Sequence, residues 1–164
     1  MNGLSKLLKS GKIAITTLTL LITGAAGLCL PANAQANDQE GVRRALLDNA
    51  AGFERSDMAT LNRVWAQDES VTVFENGYAN YGWADYRDNH LKPEMGEMKN
   101  VKYALTDIKP RIAGSTAWAT FKYTFSADVK DRHVEGGGLG TAVLEKRDGR
   151  WQIVHWHTSN SRTR

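Results

Sequence analysis

The sequence predicts an α+β fold in which a strongly curved antiparallel sheet wraps three N-terminal helices. Three observations carry that expectation. Apolar residues recur at three-to-four spacing as far as Trp65, period-two alternation dominates from Val101 onward, and an Asp148-Gly149 pair marks a tight hairpin near the end.

The first 36 of the 164 residues read differently from the rest. Lys6, Lys9 and Lys12 form a positive stretch, Ile13 to Leu30 is apolar, and Pro31 precedes two small-x-small sites, Ala32-Asn33-Ala34 and Ala34-Gln35-Ala36. That order predicts a secretory signal peptide over residues 1–36, cleaved after Ala34 or Ala36, and a domain over residues 37–164 in the periplasm or the medium. The threonines and glycines of the apolar run make it a poor permanent anchor, so no stable membrane attachment is expected after cleavage. Bulky Leu28 before Cys29 argues against lipoprotein processing.

Removing the leader alters the charge balance. No acidic residue lies in it, so 18 Asp plus Glu remain against 18 Lys plus Arg once its three lysines are gone. A neutral domain gives no electrostatic ground for a nucleic-acid partner. The only cysteine leaves with the leader, which excludes disulfide staples and thiol catalysis. All five tryptophans and all five tyrosines stay in the domain.

The elements follow in order. Asn37 or Asp38 is placed to cap a first helix, whose Val42, Leu46, Ala50 and Phe53 share one face. Ser56-Asp57 caps a second, with Met58, Leu61 and Trp65 in a stripe. Val71–Phe74 is a strand before an Asn76-Gly77 turn, and Trp83–His90 is a third helix that stops before Pro93. Four long strands complete the chain: Val101–Ile112, Ser115–Val129, Val134–Lys146 and Trp151–Ser159.

Alternation assigns faces. Ala117, Ala119, Phe121, Tyr123, Phe125 and Ala127 share the concave, helix-covered one. An uninterrupted ladder from the Asp148-Gly149 turn sets Leu144 opposite Ile153 and Ala142 opposite His155, so His155 and His157 point inward. The same ladder places Trp118, Val143, Val154 and Trp156 on the outer face, where so apolar a surface suits a homodimer.

The segment Arg147-Asp148-Gly149-Arg150-Trp151-Gln152-Ile153-Val154-His155-Trp156-His157-Thr158-Ser159 resembles the last hairpin of the association (hub) domain of calcium/calmodulin-dependent kinases. The same ending is frequent in bacterial SnoaL-like proteins of the nuclear-transport-factor-2-like superfamily, which the segment thus also resembles. The resemblance implies a cone-shaped fold with a pocket in its open mouth, usually dimeric through the sheet, and it implies no particular reaction. The hub domains hold carboxylates with pocket arginines; two of those positions fall on Tyr123 and Ala142, so an anion clamp of that kind is not expected.

Candidate chemistry centres on few residues. His155 is a candidate general base or ligand donor. Asp85 and His90 straddle the third helix near Tyr81, Trp83 and Tyr86 and are candidate acid–base groups. His155 and His157 have a spacing that metals use, but no third ligand is fixed nearby, so neither metal nor other cofactor is expected. The run Glu135-Gly136-Gly137-Gly138-Leu139-Gly140 leads into a strand and lacks the residues of a phosphate loop; it reads as glycine for a bulge or bend.

Tyr81, Trp83, Tyr86, His90, Phe121, Tyr123, Ala142 and His155 are therefore the expected pocket residues, and a small, mainly apolar or aromatic organic molecule the expected ligand. An isomerase- or dehydratase-like enzyme using Asp85, His90 or His155, and an assembly module with an idle pocket, are the other two readings.

Overall fold

The computed structural model describes residues 32–161. Most of the expected signal peptide, residues 1–31, lies outside them. Helix α1 (Ala32–Glu54) is followed by α2 (Met58–Val64), the hairpin β1 (Thr72–Glu75) and β2 (Tyr78–Tyr81), and a helical segment made of α3 (Trp83–Tyr86), a π-turn (Arg87–Leu91) and α4 (Lys92–Glu97). Strands β3 (Met98–Ala113), β4 (Thr116–Val129), β5 (Arg132–Arg147) and β6 (Arg150–Asn160) complete the fold. The strands form one curved, unclosed sheet ordered β2-β1-β6-β5-β4-β3, with the helices on its concave side. Among the described residues no helix is long and apolar enough to cross a membrane.

Helix α1 begins ahead of the expected caps. Asp38 lies inside it, where its carboxylate accepts from Trp151 Nε1 at 3.1 Å and Lys146 Nζ at 2.5 Å. A tie to the far end of the chain thus replaces the local cap. The second cap forms as its sequence indicates: the Asp57 carboxylate accepts from the Thr60 amide at 3.1 Å and its hydroxyl at 2.6 Å.

The third helical segment does not stop before Pro93. It passes through the proline to Glu97, with a π-turn immediately before it in which the Lys92 amide reaches back to the Arg87 carbonyl. The expected break rests on the clash of a proline ring with the carbonyl four residues back. A wider turn at that point accommodates the ring and carries the helix on.

The sheet departs from all-antiparallel pairing once. β1 lies parallel to β6, Thr72 beside His155 and Glu75 beside Thr158. β1 and β2 join through Asn76-Gly77, both at positive φ (52° and 83°) as a two-residue hairpin needs.

The decisive correction is in the last hairpin. From Arg147/Arg150 to Leu144/Ile153 the ladder is regular, but Val143 then pairs with His155 and Ala142 with Trp156. Val154 is the extra residue of a β-bulge, and every side chain beyond it changes face. Trp156 turns inward and is 1% exposed, whereas His155 and His157 point outward. The expected His155–Ala142 pair does not exist, and Trp156 leaves the outer face. The gain is physical: the bulge buries Ile153, Val154 and Trp156 together, and spares the interior two imidazoles.

The glycine run, by contrast, contains no bulge; β4 and β5 stay in register throughout it. Glycine is needed there for close approach. A Cβ on Gly138 would sit 1.9 Å from the Ser159 carbonyl oxygen and 3.0 Å from the Tyr123 ring. Gly136 has nothing within 4 Å of its Cβ position. Gly138→Ala is accordingly expected to cost about 1–3 kcal/mol in urea unfolding, since a backbone must move, while Gly136→Ala stays within about 0.5 kcal/mol of the parent.

Candidate functional site

A cavity of about 190 Å³ opens in the concave face. Its walls come from the end of α1 (Asn49, Phe53), the end of β1 (Glu75), the helical segment (Tyr86, His90, Leu91, Glu94), β3 (Met98, Tyr103), β4 (Tyr123, Phe125) and the end of β6 (Trp156, Thr158, Asn160). Gly136 and Gly137 of β5 form part of the lining between β4 and β6.

One side is aromatic. Phe53, Tyr103, Tyr123 and Phe125 form a chain of rings with centroids 5.5–6.4 Å apart. Burial drives the Tyr103 phenol well above its ordinary pKa, so it stays protonated.

The other side is polar and centres on Glu75. Val71, Val73 and Glu75 share the inward face of the first strand, and the first two are fully buried. The third position of a core-facing strand therefore carries a carboxylate. Glu75 Oε1 accepts from Trp156 Nε1 at 3.0 Å and Thr158 Oγ1 at 3.3 Å, and Oε2 accepts from the Tyr86 hydroxyl at 3.3 Å. Burial pushes the Glu75 carboxyl above the usual carboxylate range despite these donors, with repulsion from Glu94 adding and attraction to His90 opposing. Three donors leave acceptor capacity on Oε2, the atom 3.8 Å from His90 Nε2.

His90 is oriented by a relay. The Asp85 carboxylate only accepts, so the Asn80 amide directs Nδ2 at it, at 3.0 Å, and the Asn80 Oδ1 faces His90 Nδ1 at 2.8 Å. Nδ1 therefore carries a proton, and Nε2 is the nitrogen that exchanges one. Nε2 lies 3.2 Å from Glu94 Oε1. That hydrogen bond holds the His90 imidazole above its usual pKa against the effect of partial burial, and the Glu75 and Asp85 charges add to it. Asp85, bonded by Asn89, Asn80 and the Tyr81 amide, stays below the usual range.

The structure distributes the expected residues unevenly. Tyr86, His90 and Tyr123 line the cavity. Phe121 and Ala142 are buried outside its lining, Phe121 4.7 Å from the Trp156 ring. Trp83 is stacked on Trp65 at 5.4 Å behind the cavity wall, and donates to Asn62. Asp85 reaches the site only through Asn80 and His90. Tyr81 is 63% exposed and meets Phe74 instead. His155 lies on the outer face, its Nδ1 2.7 Å from Thr72 Oγ1 and its ring against Phe74, with burial and His157 lowering its pKa. Of the expected dimer face, Trp118 is exposed, Val143 half-buried and Val154 buried.

Sequence reasoning missed Glu75, Glu94, Tyr103 and Trp156. Glu75 had a signal, as the third inward position after Val71 and Val73, and Glu94 had one in its spacing of four from His90. Tyr103 and Trp156 depended on strand facing, and for Trp156 the bulge hid it.

The family model for the SnoaL-like domain matches residues 42–162. Among solved structures, a nuclear-transport-factor-2-like superfamily protein from Salmonella enterica aligns with a TM-score of 0.74 at 17% identity, over 79% of this chain and 94% of that one. A candidate dehydratase of the same superfamily from Streptomyces avermitilis gives 0.71 at 19% identity, over 79% and 99%. A candidate ketosteroid isomerase from Shewanella frigidimarina gives 0.64 at 22% identity, over 73% and 94%. No curated protein matches the chain.

A raised histidine pKa has a testable sign. The stabilisation from charged His90 is fully present below its unfolded value of about 6.5 and is lost as pH rises through the higher folded value. The melting-temperature advantage of the parent over His90→Gln is thus expected to be largest near about pH 5–6 and to shrink toward about pH 9. A pH-independent difference would mean that His90 is not charged in the folded protein.

Proposed function

Because the chain belongs to the SnoaL-like domain family, a fold that serves many unrelated chemistries, we propose a function from the cavity itself: binding of a small ring-containing molecule and transfer of a proton on it. The observation that carries this reading is the buried Glu75 carboxyl, raised in pKa and 3.8 Å from His90, on the wall of a cavity otherwise rich in aromatic rings. Buried, coupled acid–base pairs facing a concave apolar site are what proton-transfer chemistry requires.

Size limits the substrate. A cavity of about 190 Å³ slightly exceeds the roughly 150 Å³ that admits benzene, which favours one ring with short substituents over a fused four-ring body. Glu75 takes a proton from the substrate and returns it. His90, with Nδ1 fixed by Asn80, supplies or accepts the second proton at Nε2, and the Tyr86 hydroxyl is a donor at the same carboxylate. Isomerisation follows this pattern; in dehydration Glu75 keeps the proton while His90 Nε2 protonates the hydroxyl that leaves as water, and the solved relatives described as candidate isomerase and dehydratase support proton transfer as a class.

The same reading takes the chain as exported after cleavage of its leader and as a homodimer through the outer sheet face at Trp118 and Val143. Trp118→Glu is expected to turn a dimer into a monomer in light scattering while the melting temperature changes little; a parent protein that is already monomeric removes the dimer.

The function is tested in two steps. A thermal-shift screen of one-ring compounds finds binders; at 100 times its Kd a ligand adds about 2.7 kcal/mol. Deuterium uptake from heavy water into the bound compound, followed by NMR, then reports proton transfer. Glu75→Gln is expected to slow uptake about 10²–10⁴-fold with the Kd within a few-fold of the parent. Binding without any uptake in the parent protein would make the domain a carrier.

A further inference from the structure

The distribution of charge in the cavity selects among ring compounds. No lysine or arginine lines it among the described residues, while two carboxylates do, Glu75 and Glu94. The cationic group facing them is His90, whose Nε2 lies 3.2 Å from Glu94 and 3.8 Å from Glu75. The polar side thus sets two carboxyl groups against one imidazole, so a second positive charge brought by a ligand would hold buried Glu75 in its ionised form. Asp85, one step behind through Asn80, adds to the negative field. Across the glycine strip stand the rings of Phe53, Tyr103, Tyr123 and Phe125, an aromatic wall that suits a ligand ring.

We propose that the natural ligand is a small organic amine: one apolar ring seated against the four aromatic side chains, and a positively charged nitrogen directed at Glu75 and Glu94. This rests on the proton-transfer reading of the same cavity and narrows its substrate class. An ammonium group brings the positive charge that a second buried carboxylate needs, while the ligand's own ring packs on the aromatic wall. The neighbours of Glu75 reinforce the preference. Its three donors are the neutral groups of Trp156, Thr158 and Tyr86, which satisfy its geometry and supply no positive charge. An anionic ligand would face two carboxylates with no cation free of them.

Isothermal titration calorimetry of the purified protein with three matched probes tests this: benzyltrimethylammonium, benzyl alcohol and benzoate. The expected order of affinity is ammonium, then alcohol, then benzoate, with at least about tenfold between the first and last. In Glu94→Gln the preference for ammonium over alcohol is expected to shrink toward unity, and Glu94→Asp, which keeps the charge, to retain it; a melting curve establishes that each variant is folded. Benzoate bound as tightly as ammonium, or alcohol equal to it, overturns the amine inference and leaves the pocket reading standing. If none of the three binds, the pocket reading falls and the inference with it.

Discussion

A carboxylate taken out of water must be met by donors, and in this fold Glu75 is met from two directions. Trp156 and Thr158 approach from β6 and Tyr86 from α3. An unpaired buried charge costs several kcal/mol, so these contacts constrain the elements that carry them. β1 has to lie alongside β6, as its parallel pairing achieves. The helical segment has to pass over the end of β1, and β6 has to present its indole inward. No buried side-chain nitrogen or oxygen among the described residues lacks a partner, and Glu75 is where that condition is hardest to meet.

The bulge at Val154 is the backbone's side of the same bargain. It brings Trp156 to Glu75 and lets Trp65, Trp83, Tyr86 and Phe121 close into one aromatic core around the indole, with ring centroids between 4.7 and 6.3 Å apart. The indole thus has its apolar body in the core and its single donor on the carboxylate, the arrangement a buried tryptophan requires. His155 and His157, turned outward, take up Thr72 and Phe74 instead.

Much of the fold was legible because its signals are local. The inward face of β4 could be read from Ala117 to Ala127 since alternation there is unbroken, and the turn at Asp148-Gly149 fixed the hairpin for its first four pairs. Beyond them the residues Ile153-Val154-His155-Trp156-His157 alternate as plausibly in one register as in the other. What decides between them is the carboxylate on β1, some 80 residues earlier in the chain. The passage of the helix through Pro93 has a similar character, because proline's rule assumes an α-helical turn and the chain supplies a π-turn. The site suffered most, since its polar centre arises only when β1, β6 and the helix meet. His90 was visible as a histidine among tyrosines; its partners were not.

The glycine run of β5, which enters the cavity lining at Gly136 and Gly137, has a consequence for how such a protein changes over time. Gly138 is locked, because its neighbour's carbonyl occupies the space a side chain would take. Gly136, two residues away and on the lining, has open space where its Cβ would be. A scaffold with a frozen position beside a vacant one separates folding from recognition within a single strand. Side chains added at residue 136 would reshape what the cavity admits while the sheet keeps its register, so new ligand preferences lie one substitution away, with no loss of fold to be repaired first.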